Sequence, residues 1–230
     1  SATKDDLFCD GQAGVQGVAI DPDYAKNGFV YLYSSSKGAN RTYGGYNNIV
    51  MRMKVNSSLN GISDLKEIIS DLGYKPLKSN HPFGGPGAHN GGRLRFGPDG
   101  FLYVTIGDNH NGAGPQSPTE LRGKLLRVDR DGKAAAGNNP PAGFDKRIFA
   151  YGFRNPQGIA FRPGTGDLYL SENGPWHSDE VTKVVNGGNG GWDPRDNVNG
   201  RPACPDNYCG YSPNQMGAMP QAERAKFMPM

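Results

Sequence analysis

Four short segments of this chain carry residue types that do chemistry. In Gly84-Gly85-Pro86-Gly87-Ala88-His89-Asn90-Gly91-Gly92, a histidine stands among glycines. An imidazole titrates near neutral pH and so suits general-base work, and glycine lets a ligand approach the backbone closely. Ile106-Gly107-Asp108-Asn109-His110 places a carboxylate where an apolar run ends. Returning beside His89, that carboxylate would hold the imidazole in one tautomer. Tyr151-Gly152-Phe153-Arg154-Asn155-Pro156-Gln157-Gly158 offers the always-charged planar fork of Arg154, suited to an anion or to an oxygen that gains negative charge. Finally, Ser171-Glu172-Asn173-Gly174-Pro175-Trp176-His177-Ser178-Asp179-Glu180 joins a Gly-Pro turn to carboxylates. Hard cations such as calcium take carbonyl and carboxylate oxygens, although this is not EF-hand spacing. Taken singly, each is also an ordinary turn residue.

Three hairpins must position these segments. Gly17-Val18-Ala19-Ile20-Asp21-Pro22-Asp23 leads to Phe29-Val30-Tyr31-Leu32-Tyr33. Gly92-Arg93-Leu94-Arg95-Phe96-Gly97-Pro98-Asp99-Gly100 leads to Phe101-Leu102-Tyr103-Val104-Thr105, and Gly158-Ile159-Ala160-Phe161-Arg162-Pro163 leads to Asp167-Leu168-Tyr169-Leu170. Alternating apolar residues, a Pro/Asp/Gly turn and an aromatic, β-branched return strand specify each hairpin. A further β-rich phrase follows each one: Asn48–Val55, Gly123–Asp129 and Glu180–Val185. Repetition of a unit that cannot bury its own face points to stacked blades.

The expected fold is therefore all-β: a β-propeller with about three four-stranded blades, near residues 12–75, 76–145 and 146–192, followed by an irregular region over 193–230. Val18, Leu94 and Ile159 are expected at equivalent inner-strand positions. Propellers typically close with about four to eight blades, so the chain is expected to be roughly half of a larger ring.

Composition agrees with a turn-rich β domain. Glycine (35) and proline (18) make up nearly a quarter of the 230 residues, against roughly 12% on average. The aromatic content of 10% and the clear alternation argue for packed strands although hydrophobic residues are only 35%. A net charge of +3, without a Lys/Arg stripe interleaved with aromatics, argues against nucleic acid as a partner. No apolar run approaches the roughly 18 residues of a transmembrane segment. Cys204 and Cys209 fall in one polar loop, Cys204-Pro205-Asp206-Asn207-Tyr208-Cys209, as a local disulfide or as two free thiols, with Cys9 left over.

Together these residues resemble the soluble glucose/sorbosone dehydrogenase family. The resemblance rests on Gly11-Gln12, His89-x-x-Gly-Arg-Leu, Thr105-Ile106-Gly107-Asp108, Gly123-Lys124-Leu125-Leu126-Arg127, Arg154-Asn155-Pro156-Gln157-Gly158, Glu172-x-Gly174-Pro175 and Gly187-Gly188-Asn189-x-Gly-Trp192. It implies a six-bladed propeller using pyrroloquinoline quinone (PQQ) and calcium to oxidise aldose sugars, in the periplasm or outside the cell, with an external electron acceptor. By the same resemblance, His89 would take the proton of the anomeric hydroxyl and Asp108 would steer it. Arg154 would face the quinone oxygen and Asn155 would contact the cofactor. The carbonyls of Gly174 and Pro175 would ligate calcium, Gln12 would line the sugar pocket, and Glu180 would fall where some members bind a second calcium. Two features depart from the family. Ala88 stands where the glucose-specific branch has an acidic residue, which leaves the sugar open. The cations that clamp the acidic cofactor in later blades are not in this chain.

Two other classes compete. A non-catalytic binding propeller resembling the hedgehog-interacting proteins would be expected to lose the base or the Arg, whereas His89 and Arg154 are both here. A calcium-dependent propeller hydrolase would want carboxylate and Asn side chains converging on an axial metal, and this chain offers Gly-Pro carbonyls instead.

Overall fold

The structure, a computed structural model, describes residues 9–75, 86–174 and 179–193. Cys204, Cys209 and Pro175 lie outside the described residues. Cys9 is exposed, with no disulfide among the described residues.

The strands form three antiparallel sheets in which neighbours in sequence are neighbours in space. The first contains β1 (Val15–Ile20), β2 (Phe29–Lys37), β3 (Tyr46–Val55) and β4 (Ile62–Leu72). The second contains β5 (Leu94–Phe96), β6 (Leu102–Ile106), β7 (Lys124–Val128) and β8 (Ile148–Tyr151). In the third, β10 (Leu168–Glu172) lies between β9 (Pro156–Phe161) and β11 (Glu180–Val184). This is a partial propeller of three sheets. Val18, Leu94 and Ile159 pair with Leu32, Val104 and Leu170, the same point of each first hairpin.

Two details differ from the sequence expectation. The second sheet runs past the boundary near 145, because Ile148–Tyr151 hydrogen-bonds to β7 across a bulge between Leu125 and Leu126. The third sheet has three strands among the described residues, not four.

Side-chain alternation directs the packing. On β6, Leu102, Val104 and Ile106 face the first sheet and join Tyr31, Tyr33, Val50, Ile69 and Leu72 in one core. Tyr103 points the other way and joins Leu125, Phe153, Leu168, Leu170 and Val184 in a second core. Covered on both faces, the second sheet has its inner strand β6 (Leu102-Tyr103-Val104-Thr105-Ile106) buried along its whole length. The outer sheets each keep an uncovered face, with Val18 and Ile20 about 60% exposed on one and Val181 62% on the other.

The first strands meet along the inner edge. Arg93 ties them together: Nη1 donates to the Gln16 carbonyl at 2.8 Å and Nε to the Gln157 carbonyl at 2.7 Å. At the opposite end, Arg130 of the β7–β8 connection reaches the buried Asp21 of the first hairpin turn (Nε–Oδ2 2.8 Å). Burial works to raise the Asp21 carboxyl, but hydrogen bonds from Arg130, the Asp23 N–H, Asn27 and Tyr31 outweigh it and lower it to about 2. A carboxylate whose folded pKa lies below its unfolded one adds stability above the unfolded value of about 3.9, and that stability is lost as pH falls toward 2. Asp21→Asn is expected to cost about 1–2 kcal/mol at pH 7. The difference from the parent should narrow between pH 4 and pH 2, as read by denaturant unfolding across that range.

Candidate active site

The loop between the first two sheets delivers His89 to the inner edge, and neighbouring sheets clamp it from both sides. Asn90 gives its amide N–H to the Gln12 carbonyl (2.9 Å), while its side-chain oxygen accepts from Asn48 (2.9 Å) and its backbone carbonyl from the Tyr33 hydroxyl (3.0 Å). From the third sheet, the Asn155 side-chain oxygen accepts the Gly91 N–H at 3.1 Å. Gly91 has φ 63 and lies so close to β6 that a Cβ there would meet the Thr105 carbonyl and the Gly107 nitrogen. A Cβ on Gly107 would in turn collide with the carbonyl of His89 itself. Glycine is therefore required for strand end and loop to lie in contact.

The sequence reading surrounds His89 with few side chains, and the structure corrects this. His89 is 7% exposed and adopts φ 54, in the left-handed region that side chains rarely occupy. Its Nδ1 lies 2.7 Å from Asp108 Oδ1. Asp108 has no exposed surface and accepts further hydrogen bonds from the His110 N–H on Oδ1 (2.9 Å) and the Trp192 indole N–H on Oδ2 (2.8 Å). Burial pushes the Asp108 carboxyl up, but His89, the His110 N–H and Arg154 outweigh it and hold the group below its ordinary value. Asp108 is thus an acceptor and His89 Nδ1 the donor, which in the neutral ring leaves the lone pair of His89 on Nε2. Such an imidazole is built to take a proton, with a buried carboxylate to stabilise the resulting cation.

Arg154 reaches the same cluster from the segment before β9. Its carbonyl accepts the Asp108 N–H at 2.7 Å and its own N–H donates to Glu172 Oε1 at 2.5 Å. One arm of its fork donates to the carbonyl (2.7 Å) and side-chain oxygen (3.0 Å) of Asn173. Both acceptors are neutral oxygens; Arg154 is 3% exposed, and its charge acts on the carboxyls of Asp108 and Glu172. The guanidinium carbon lies 5.6 Å from the Trp192 ring centre.

The remaining expected site residues are more scattered. Gln12 is exposed and joined through its backbone to Pro86 and Asn90 of the His89 loop. Asn155 is 3% exposed. The Gly174 N–H donates to Asp179 Oδ1 at 2.9 Å. Glu180 pairs with Glu172 across β10 and β11, on a cleft of about 290 Å³ that also includes Asp179. Burial and then the charge of Glu180 push the Glu172 carboxyl up to about 8, and burial also raises Glu180. Among the described residues, no group of three His, Cys, Asp or Glu side chains is placed to hold a metal.

Trp192, His110 and Lys75 belong to the cluster without having been assigned a role from sequence. Gln116 and Asn189 exchange two side-chain hydrogen bonds (2.9 and 3.0 Å), and Gln116 also donates to the Trp192 carbonyl at 2.9 Å. This seats the indole on Asp108. The glycine-rich phrase ending in Trp192 was the available signal, but its target 84 positions away was not. His110 Nε2 lies 3.0 Å from His89 Nε2, and Lys75 Nζ lies 3.2 Å from His110 Nδ1. Burial draws the Lys75 amine below its usual value, against the opposing charge of Asp108.

Comparison with known proteins gives a consistent family. Residues 2–220 match the sequence profile of the family described as glucose/sorbosone dehydrogenase. The chain is 31% identical to aldose sugar dehydrogenase YliI of Escherichia coli over 193 residues, covering 81% of this chain and 48% of that protein. It is 32% identical to quinoprotein glucose dehydrogenase B of Acinetobacter calcoaceticus, covering 80% of this chain and 40% of the relative. The chain thus spans about half the length of the curated relatives it matches. The structure of the PQQ-bound aldose sugar dehydrogenase of Streptomyces coelicolor superposes with a TM-score of 0.69 at 29% identity, covering 85% of this chain and 53% of that one.

The geometry around Asp108 sets one expectation. Trp192→Phe keeps the ring packing but removes a donor from a buried carboxylate, and should cost about 2 kcal/mol in denaturant unfolding. A loss below about 0.5 kcal/mol would mean that the indole N–H is not important to Asp108.

Proposed function

The chain belongs to the glucose/sorbosone dehydrogenase family, and from that membership we propose that it forms part of a PQQ- and calcium-dependent enzyme that oxidises aldose sugars at the anomeric carbon to lactones. The observation that carries this reading is the buried His89–Asp108 pair, with Nδ1 held against the carboxylate at 2.7 Å, which leaves Nε2 to act on a substrate proton.

In this mechanism His89 takes the anomeric hydroxyl proton at Nε2 while the anomeric carbon gives up a hydride. Asp108 stabilises the imidazolium and fixes the ring, as the orienting carboxylate of a base does. Arg154 supplies a fixed positive charge on the side where negative charge develops. PQQ, when bound beside Arg154 and Asn155, would supply the two-electron acceptor for that hydride, with an external acceptor to reoxidise it. The chain's residues fit such a group on one side. The buried Arg154 guanidinium is held by neutral oxygens and suits an acidic quinone. Asn155 adjoins it, and the carbonyls of Gly174 and Pro175 are the oxygens that calcium would take. Glu180 is the candidate ligand of a second calcium. Gln12 would line the sugar pocket beside the His89 loop. The oxidising chemistry is assigned to the periplasm or cell exterior. Among the described residues, no helix is long and apolar enough to cross a membrane.

The test uses the full-length protein reconstituted with PQQ and calcium, assayed on a panel of aldoses with an artificial electron acceptor. Replacing His89 with Gln should lower turnover about a hundredfold or more with little change in PQQ affinity. Arg154→Lys should cost less, because the charge remains while the planar fork is lost. Parent-like turnover in the His89 variant would remove it as the base. Absence of PQQ-dependent oxidation of any aldose by the parent would favour a binding propeller instead.

A further inference from the structure

The contact between the two imidazoles is resolved by the groups at its ends. An ionised Asp108 only accepts, so His89 Nδ1 carries a proton, and in the neutral ring Nε2 is then the lone pair. His110 Nε2, 3.0 Å from that lone pair, must then be the donor. The Nδ1 of the same neutral ring is left as an acceptor, and Lys75 Nζ at 3.2 Å has N–H groups to give it. The result is one directed chain of donors from Lys75 through His110 and His89 to Asp108.

The backbone is shaped to make this contact. Asn109 and His110 are consecutive non-glycine residues in the left-handed region, with φ 50 and 56. The His110 N–H closes onto Asp108 Oδ1 and Asn109 donates to the His89 carbonyl at 2.9 Å. The turn thereby carries the His110 ring back over His89, at 4.0 Å between ring centres and edge to face. Side chains occupy this region only when their surroundings hold them there.

We propose that His110, backed by Lys75, is a positioning residue that keeps His89 Nε2 deprotonated and aimed. This deepens the reading of His89 as the base and rests on it. A donor on Nε2 binds only the neutral imidazole, so it opposes protonation there, whereas Asp108 on the other nitrogen favours the cation. Among the described residues, the charged and titratable groups shown against this pair of rings are Asp108 and His110 from the turn after β6 and Lys75 from the segment after β4. Arg154 and Glu172 of the third sheet act through Asp108. The lone pair takes one donor at a time, so a substrate hydroxyl has to displace the His110 N–H and replace it in kind. The site is preset for a ligand that donates a hydrogen bond.

The test is a 15N titration of the histidine side chains, without cofactor or sugar, in the parent and in His110→Phe and His110→Gln. In the parent, His89 Nε2 should appear unprotonated and His110 Nε2 protonated at neutral pH. The opposite assignment overturns the proposal whether or not the variants fold. In the Phe variant His89 should take up its proton about 0.5–1 pH unit higher. Gln, whose amide N–H can reach Nε2, should restore most of that shift. The acid limb of kcat/KM in the full-length, PQQ-loaded protein should move in the same order. An unchanged His89 titration in the Phe variant, or a Gln variant no different from Phe, refutes the role. Should the loaded protein oxidise no aldose, the dehydrogenase reading fails, and the imidazole titration still decides the role of His110.

Discussion

Asp108 is ionised with no exposed surface, and much of the inner edge is arranged to make that tolerable. A bare carboxylate in such a place would protonate rather than stay charged. Donors therefore arrive from three directions: the His89 ring from the loop before the second sheet, the His110 N–H from its own turn, and the Trp192 indole from the segment after the third sheet. The Arg154 charge adds to them. Stability and geometry are not separate here, because the bonds that keep Asp108 charged are also those that orient the His89 ring.

The sheets contribute by bringing loop ends to one edge. The second sheet is covered on both sides and positions the loops that carry His89 and Asp108. The first contributes Tyr33 and Asn48 as clamps on Asn90, and the third contributes Asn155 and Arg154. Arg93 holds the three first strands at a common level through two backbone carbonyls. A shift of one sheet would separate the residues of the site even if each hairpin remained intact.

Hairpins are local, so Val18, Leu94 and Ile159 could be aligned from alternation and turn residues alone. His89, Asp108 and Arg154 were legible because each ends or begins such a phrase, and the resemblance gave them roles. The fourth strand of the second sheet was not legible at its true place. Ile148-Phe149-Ala150-Tyr151 is a short apolar run beside Arg154, and only its pairing with Leu125 and Lys124 assigns it to the second sheet. Trp192 and His110 were missed for a related reason. Their partners are chosen by loops that return in space, and neither periodicity nor spacing encodes which buried acceptor an indole N–H will find.

The Trp192–Asp108 bond spans 84 positions, which gives the cluster a place in time as well as in space. As the chain emerges during synthesis, the first two sheets can close before the third exists, since domains tend to form from the N-terminus and long-range closures come late. At that stage Asp108 and His89 are present, but the indole that completes the carboxylate's set of donors has not been made. Trp192 can complete the donors around Asp108 only when the third sheet and its trailing segment have folded back.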